Sequence, residues 1–176
     1  MNNNRINSTG KQDNLKHFVL LAFGANLGNR KKNIEKALKL LNGYNSVSIL
    51  KISSFYTTEP LGDKHQPEFI NAAALIRTSL DALALLVIIK KIEASIGRKE
   101  RSRWHEREID IDILLFDSKI ITEKSLVIPH SKMHKRNFVL VPAAEIAPDI
   151  IHPVLNKSIR QLLMESKDTL YVRKSA

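Results

Sequence analysis

Two aspartates in an otherwise apolar run have the clearest chemical pattern in this sequence. Residues 109–116 read IDIDILLF, and this alternation of apolar and acidic residues is typical of a β-strand. On a strand, Asp110 and Asp112 would lie on the same face, about 6.6 Å apart. Two carboxylates at that spacing can bind Mg²⁺, which completes its shell with water and phosphate oxygens. A strand with one solvated acidic face would give the same pattern.

A basic segment directly before this strand favours the metal interpretation. Its cationic side chains are Arg98, Lys99, Arg101, Arg103 and Arg107. Carboxylates beside such a cluster make sense when a metal ion and a polyphosphate lie between them, because the cations neutralise the remaining phosphate charge. The segment also contains Trp104, the only tryptophan, which indicates a loop that closes on a ligand. We therefore expect residues 98–106 to form a loop that closes over its ligand and excludes water.

The composition limits the class of protein and the class of chemistry. A chain of 176 residues suits one domain with a buried core, and we expect a monomer. The sequence has no cysteine, which excludes disulfides and cysteine nucleophiles and fits a reducing cytoplasm. The net charge of +10 indicates a polyanionic partner, and nucleic acid, acidic lipid and a nucleoside triphosphate fit it equally. No apolar run approaches the ~20 residues of a membrane span, so we expect a cytoplasmic protein without a membrane partner.

Two common binding patterns are incomplete in this sequence. His130 and His134 are four residues apart, but neither an HExxH motif nor a cysteine set accompanies them, so surface histidines are expected rather than zinc ligands. Residues 24–28 read GANLG and resemble a phosphate-binding loop only loosely. Because the pattern G-x-x-x-x-G-K-[ST] is absent, the chain is not expected to be a P-loop kinase.

The elements that position these residues follow from apolar periodicity and from turn and capping residues. In chain order, we predict a strand at 18–23, a helix between Asn29 and Gly43, β-rich runs at 47–58 and 69–78, a helix between Asp81 and Gly97, and a strand at 108–116. Residues 117–119 are expected to form a hairpin that pairs the last strand with residues 120–121.

This βαββαβ order predicts an α+β fold of the ferredoxin-like type, with an antiparallel sheet flanked by helices. An additional C-terminal hairpin and helices are expected after the last core strand. Residues 1–16 are polar and rich in asparagine, so we predict a disordered N-terminal tail. Residues 17–176 are then expected to form a single domain.

Seven short motifs distributed along the chain are specific in combination. They are GANLG at 24–28, SFYTT at 54–58, PLG at 60–62, QPEFINA at 66–72, REIDIDIL at 107–114, IPH at 128–130 and RNF at 136–138. Together they resemble the motifs of the 6-hydroxymethyl-7,8-dihydropterin pyrophosphokinase family. The resemblance extends from about residue 18 to residue 159, and the IDID strand is its strongest signature. The resemblance implies that the chain transfers the pyrophosphoryl group of ATP to 6-hydroxymethyl-7,8-dihydropterin in folate biosynthesis, releasing AMP.

The resemblance also implies where ATP and two Mg²⁺ ions bind. Asp110 and Asp112 would hold the ions, and these aspartates with Arg98 and Arg107 would be the catalytic residues. The residues implied to contact ATP are Glu93, Arg98, Trp104, Arg107, Ile113, His130 and Arg136.

For the second substrate, the resemblance implies a pocket in which two aromatic rings enclose the pterin. Phe69 and Phe138 would form its walls, and the side-chain amide of Asn71 would bind the pterin edge. The full implied set is Thr58, Glu59, Leu61, Phe69, Asn71, Asp110 and Phe138.

Two other classes of function use the same fold. An RNA-recognition domain would suit the basic chain, but the Lys/Arg-Gly-aromatic strand motif of such domains is missing, so no nucleic-acid partner is expected. A non-catalytic ligand-binding domain of this type would not account for paired aspartates beside five basic residues.

Overall fold

Strands and helices alternate along the protein in the predicted order. The computed structural model describes residues 15–60, 66–99 and 106–175. Within these ranges the strands are β1 (His17–Ala25), β2 (Val47–Ile52), β3 (Tyr56–Thr58), β4 (Phe69–Thr78), β5 (Asp110–Phe116), β6 (Ile121–Glu123), β7 (Leu126–Ile128), β8 (Ile151–His152), β9 (Lys157–Ser158) and β10 (Val172–Lys174). The helices are α1 (Arg30–Gly43), α2 (Ala82–Ile96), α3 (Asn137–Ile146) and α4 (Ile159–Met164), with a 3₁₀ turn at Met133–Lys135.

Six strands of the described residues form one antiparallel sheet in the order β10-β3-β4-β1-β5. The sixth strand, β2, pairs with the end of β4, while β3 pairs with its beginning. The strands β2 and β3 are thus two parts of one β-rich run, interrupted where the backbone N–H of Ser53 donates to the carbonyl of Ala73. Counting them together gives the βαββαβ topology, so the predicted ferredoxin-like α+β fold is confirmed.

The sheet is covered by helices on both faces, which accounts for the continuous apolar run of β1. Val19, Leu21 and Phe23 point to one side, where they join a core formed with α1 and α2. Leu20 points to the opposite side, into a second core formed with α3 and α4. A strand buried on both faces needs apolar residues at successive positions, which is the pattern that the sequence has there.

Both long helices begin and end at the predicted residues. The side chain of Asn29 accepts from the backbone N–H of Lys32 at the start of α1, and Asp81 accepts from that of Ala84 at the start of α2. Gly97 ends α2 in the left-handed conformation with φ 103°, which glycine adopts without the steric cost of a Cβ.

The hairpin predicted between residues 108–116 and 120–121 is wrong. The strand β6 pairs with β7, whereas the neighbour of β5 is β1. Asp117 explains the difference, because its carboxylate accepts from the ring of His17 and from the backbone N–H of Phe18. These bonds fix the chain to β1 after β5 ends, and the hairpin then forms within residues 121–128.

The predicted boundary of the N-terminal tail at residue 16 is also wrong by two residues. Leu15 is only 4% exposed, its carbonyl accepts from the Arg77 guanidinium, and the next backbone N–H donates to the carbonyl of Thr78. The domain therefore includes Leu15, and residues 1–14 of the predicted tail lie outside the described residues. No helix in the described part of the chain has the length and apolar character needed to cross a membrane.

Candidate active site

A cavity of about 210 Å³ opens on the face of the sheet that α3 covers only in part. The pairings Gly24–Asp110 and Gly24–Asn71 place the aspartate strand and the amide on either side of β1. Most of the predicted site residues line this cavity. They are Thr58, Glu59, Phe69, Asn71, Arg107, Asp110, Asp112, Arg136 and Phe138.

The two aspartates lie on the same face of β5, as predicted from their spacing. Both are partly exposed, while Ile111 and Ile113 on the opposite face are buried in the core with α2. Asp110 and Asp112 therefore project from the strand into the cavity.

Two arginines form ion pairs with Asp110. One carboxylate oxygen lies 2.7 Å from the guanidinium of Arg98, and the other contacts the guanidinium of Arg107. Arg98 is also paired with Glu93. Burial alone would lower the pKa of Arg98, but the carboxylates of Asp110 and Glu93 outweigh it, so the pKa is raised. The arginines and the carboxylate thus neutralise one another at the place where a metal–polyphosphate ligand would separate them.

Asp112 differs from Asp110 in its electrostatic surroundings. Burial, followed by repulsion from Asp110, raises the pKa of Asp112 to about 6, while Lys90 and Arg136 act in the opposite direction. A cation bound between the two carboxylates would reverse this shift, because it would favour the ionised form of both.

Glu93 connects the end of α2 to the aspartate strand. Its side chain is buried, and one oxygen accepts from the backbone N–H of Ile111 at 2.9 Å and from Arg98. The other oxygen accepts from Lys90 at 2.9 Å. The structure therefore places Glu93 behind the site, where it holds Arg98 and β5.

The aromatic and amide residues form the other half of the cavity. Phe69 and Asn71 project from the same face of β4, and Phe138 reaches the cavity from the start of α3. The Nδ2 of Asn71 donates to the hydroxyl of Thr58 at 2.8 Å, which orients the amide in its buried position. Two rings and an oriented amide are suited to a flat heterocycle with polar edges.

A glycine on β1 makes this arrangement possible. A Cβ on Gly24 would lie 3.1 Å from Oδ1 of Asn71 and 3.9 Å from the ring of Phe69. Any larger residue would press on the amide, so the glycine of the GANLG motif gives the amide its space.

The remaining predicted residues occupy different places. Arg136 lines the cavity with its guanidinium carbon 5.4 Å from the centre of the Phe138 ring. His130 follows β7, and burial and then Arg136 lower its pKa, which favours the neutral ring. The side chains of Glu93 and Ile113 are buried and do not line the cavity. Leu61 and Trp104 lie outside the described residues.

Six residues that line the cavity were not predicted as site residues, namely Ala22, Phe23, Gly24, Gln66, Lys132 and Val139. Gly24 is a motif residue whose role becomes apparent only when β1 is paired with β4. Gln66 accepts from the Nδ2 of Asn26 at 3.1 Å, and Lys132 lines the cavity from the turn before α3. Lysine and glutamine occur throughout the surface, so their types alone gave no signal.

The two carboxylates of β5 suit a hard cation that takes its remaining ligands from phosphate oxygens and water. Among the described residues, no group of three or more histidine, cysteine, aspartate or glutamate side chains is arranged to hold a metal ion. The pair Asp110 and Asp112 is sufficient for Mg²⁺, because this ion is commonly held by one or two carboxylates with substrate phosphates and water.

Comparisons with known proteins identify one family. The family model for 7,8-dihydro-6-hydroxymethylpterin-pyrophosphokinase (HPPK) matches residues 20–148. The 2-amino-4-hydroxy-6-hydroxymethyldihydropteridine pyrophosphokinase of Aquifex aeolicus (strain VF5) is 40% identical over 148 residues, covering 84% of this chain and 91% of that protein. The Haemophilus influenzae protein of the same name is 42% identical over 133 residues, covering 76% and 83%.

Solved structures share the fold at lower identity. The wild-type Plasmodium falciparum HPPK-DHPS with STZ-DHP has a TM-score of 0.70 and is 20% identical, over 87% of this chain. This chain spans 44% of that longer protein. The family match covers the main sheet apart from β10 and the first residues of β1, and it includes both long helices, the aspartate strand and α3. The chain therefore belongs to the 7,8-dihydro-6-hydroxymethylpterin-pyrophosphokinase family.

Proposed function

We propose that this chain transfers the pyrophosphoryl group of ATP to the hydroxymethyl group of 6-hydroxymethyl-7,8-dihydropterin, giving AMP and the pterin diphosphate in folate biosynthesis. The main observation in support is that one cavity is lined by two different sets of residues. Asp110, Asp112 and Arg107 line one part of it, and Phe69, Asn71 and Phe138 line another. A metal–polyphosphate ligand and a flat heterocycle would therefore meet in the same space.

Asp110 and Asp112 would hold two Mg²⁺ ions together with the phosphates of ATP. Bound Mg²⁺ would supply charge neutralisation at the phosphate oxygens and make the pterin hydroxyl a better nucleophile. The fit rests on the shared face of the two carboxylates and on the room that the cavity leaves beside them.

The arginines would exchange one anionic partner for another during binding. Arg98 and Arg107 are paired with Asp110, and a bound triphosphate would offer them oxygens of higher charge. Arg136 lines the cavity near Phe138 and is close to both substrates in this arrangement. These guanidinium groups would stabilise the charge that develops on the transferred phosphates.

The chemical step balances without a covalent enzyme intermediate. The pterin hydroxyl oxygen attacks the β-phosphorus of ATP in line, the bond from that phosphorus to the α-phosphate oxygen breaks, and AMP leaves. The hydroxyl proton passes to solvent, and we assign no side chain as the base. Phe69, Phe138 and Asn71 would fix the pterin so that its hydroxymethyl group faces the β-phosphorus, which is the main contribution that positioning makes to such a reaction.

A turnover assay with matched pterins tests the proposal. Purified protein, ATP and Mg²⁺ are incubated with 6-hydroxymethyl-7,8-dihydropterin or with 6-methyl-7,8-dihydropterin, which lacks the attacking hydroxyl. We expect AMP only with the hydroxymethyl compound and only when Mg²⁺ is present. Equal AMP release with both pterins would mean that ATP is hydrolysed by water, and it would contradict the transfer reaction.

The monomeric state, the cytoplasmic location and the absence of a nucleic-acid partner stay predictions from the sequence. This cavity is less suited to nucleic acid, because Asp110 and Asp112 would repel a phosphate backbone in the absence of a cation.

A further inference from the structure

The C-terminal strand β10 extends the main sheet next to the pterin half of the cavity. It pairs with β3 through Val172–Thr58, Arg173–Thr57 and Lys174–Tyr56. After it, the backbone N–H of Ser175 donates to the carbonyl of Phe55 at 2.8 Å. The family model ends at residue 148, so this strand lies outside the family match.

Tyr171, the residue before β10, contacts two glutamates near the cavity. Its backbone N–H donates to Oε1 of Glu59 at 3.1 Å, and its hydroxyl donates to the carboxylate of Glu68. The bond to Glu68 raises the pKa of the Tyr171 hydroxyl, which keeps the hydroxyl protonated as a donor. One residue thus binds a glutamate from each side of the connection between β3 and β4.

The strand register explains why these three residues meet. Thr58 pairs with Val172 on one side and with Phe69 on the other. Continued by one residue, the same register places Glu59 between Tyr171 and Glu68. Like charges directly opposite each other on neighbouring strands repel. The two donors of Tyr171 stabilise both carboxylates in this position and so hold the end of β3 next to the start of β4.

Both glutamates are adjacent to residues of the pterin half of the cavity. Glu59 lines the cavity itself and follows Thr58, which accepts from the amide of Asn71. Glu68 precedes Phe69, and its carbonyl also accepts from the guanidinium of Arg30 on α1. A change in the separation of the two glutamates would therefore move the Phe69 ring and the partner of the Asn71 amide.

We propose that Tyr171 is a positioning residue for the pterin substrate, acting through Glu59 and Glu68 rather than by contact with the ligand. This inference rests on the proposed function, because it assigns the role of Tyr171 to the pterin half of that site. It predicts that the hydroxyl of Tyr171 affects pterin affinity and not ATP affinity.

The substitution Tyr171→Phe tests this, since it removes the hydroxyl and retains the ring and the backbone donor. Loss of an exposed hydrogen bond to a charged group is expected to weaken pterin binding by about 3- to 10-fold. The Kd of ATP and the melting temperature are expected to stay at the wild-type values, and the KM of the pterin should rise more than kcat falls. Tyr44→Phe is the matched control, because Tyr44 follows α1 and does not line the cavity.

A double substitution separates positioning from a general effect on stability. Glu68→Leu, which removes the acceptor, should weaken pterin binding to a similar extent, and the double variant Tyr171→Phe/Glu68→Leu should be no worse than either single variant, because both remove the same bond. Unchanged pterin affinity in Tyr171→Phe, with wild-type protein that binds the pterin, would overturn the inference. Parallel losses of pterin affinity, ATP affinity and melting temperature would overturn it as well, in favour of a purely structural role. Wild-type protein that does not bind the pterin would instead reject the proposed function.

Discussion

The two aspartates of β5 are chemically distinct although they are two residues apart. Asp110 is paired with two arginines, whereas the pKa of Asp112 is raised to about 6 by burial and by repulsion from Asp110. Binding of a cation and a triphosphate would therefore affect the two carboxylates differently. Asp110 would be released by its arginines, and Asp112 would gain a partner for its negative charge.

We expect Asp110→Asn and Asp112→Asn each to reduce kcat by about 100-fold or more, because each removes one of the two carboxylate charges available to the metal ions. Steady-state turnover at saturating Mg²⁺ measures this. Asp149→Asn is the control, since Asp149 is exposed and forms only a 3.4 Å surface pair with Arg160. Near-wild-type turnover in either active-site variant would contradict the metal assignment.

The raised pKa of Asp112 also predicts how stability depends on pH. Because the folded protein binds this proton more tightly than the unfolded chain, the favourable contribution is present below the ordinary pKa of 3.8 and is lost as the pH rises through about 6. The ligand-free Asp112→Asn variant should therefore be more stable than wild type at pH 7.5, by on the order of 1 kcal/mol. Near pH 4 the two proteins should have similar stability.

Thermal unfolding between pH 4 and pH 8 without metal or nucleotide measures this difference. We expect the melting temperature of wild type to fall relative to that of Asp112→Asn as the pH rises from 4 to 7. Curves that remain parallel over this range would show that the Asp112 carboxylate is not destabilised in the folded protein.

Some residue-scale features could be predicted from the sequence because their cause is local. The aspartate pair follows directly from the two-residue period of a strand. The ATP contact of Glu93 stays a prediction. Its burial was not predicted, although Ile89, four residues earlier, lies on the same apolar face of α2. Its partner, the backbone N–H of Ile111, is 18 residues away and depends on how α2 packs on β5.

At the scale of elements, the pterin half of the site joins β4 to the start of α3. We expect Phe69→Ala and Phe138→Ala each to weaken pterin binding by about 10-fold or more, because a stacked ring contributes both buried area and aromatic contact. Asn71→Ala should weaken it as well and should reduce discrimination against rings that lack the donor–acceptor edge. Calorimetry with the pterin alone and with ATP alone measures both affinities.

The ATP affinity of these variants should stay within a few-fold of wild type. Phe18→Ala is a control on the same sheet, because Phe18 is 48% exposed and does not line the cavity. Unchanged pterin affinity in both cavity variants would mean that Phe69 and Phe138 are packing residues only.

The elements that the sequence predicted well are those whose ends are set by neighbouring residues. Asn29, Asp81 and Gly97 act within one helical turn, so the ends of α1 and α2 could be identified from local spacing. The prediction of a hairpin directly after β5 was wrong, because Asp117 forms hydrogen bonds with His17 and Phe18, about 100 residues away. These bonds determine where the hairpin begins. No local pattern carries that information.

At the scale of the whole molecule, the described part of the domain begins at the buried Leu15. Deletion of residues 1–14 should leave the melting temperature and turnover close to wild type, because these residues are polar and lack apolar periodicity. Deletion of residues 1–16 should destabilise the protein by about 1–3 kcal/mol, since it removes the buried Leu15 side chain and the backbone contacts to Arg77 and Thr78.

Thermal unfolding of the two truncated proteins side by side measures this contrast. A marked loss of stability on deletion of residues 1–14 would show that the segment packs on the domain. Equal stability of the two truncations would mean that Leu15 contributes nothing to the core.

The account as a whole holds that both terminal phosphates of ATP move together onto the pterin, and the products of the reaction test this most directly. Phosphorus-31 NMR of ATP, Mg²⁺ and 6-hydroxymethyl-7,8-dihydropterin with the protein distinguishes AMP from ADP and a pterin diphosphate from a monophosphate. We predict AMP and the pterin diphosphate in equal amounts, and much slower formation of both with the Asp112→Asn variant. Formation of ADP with a pterin monophosphate would contradict the account.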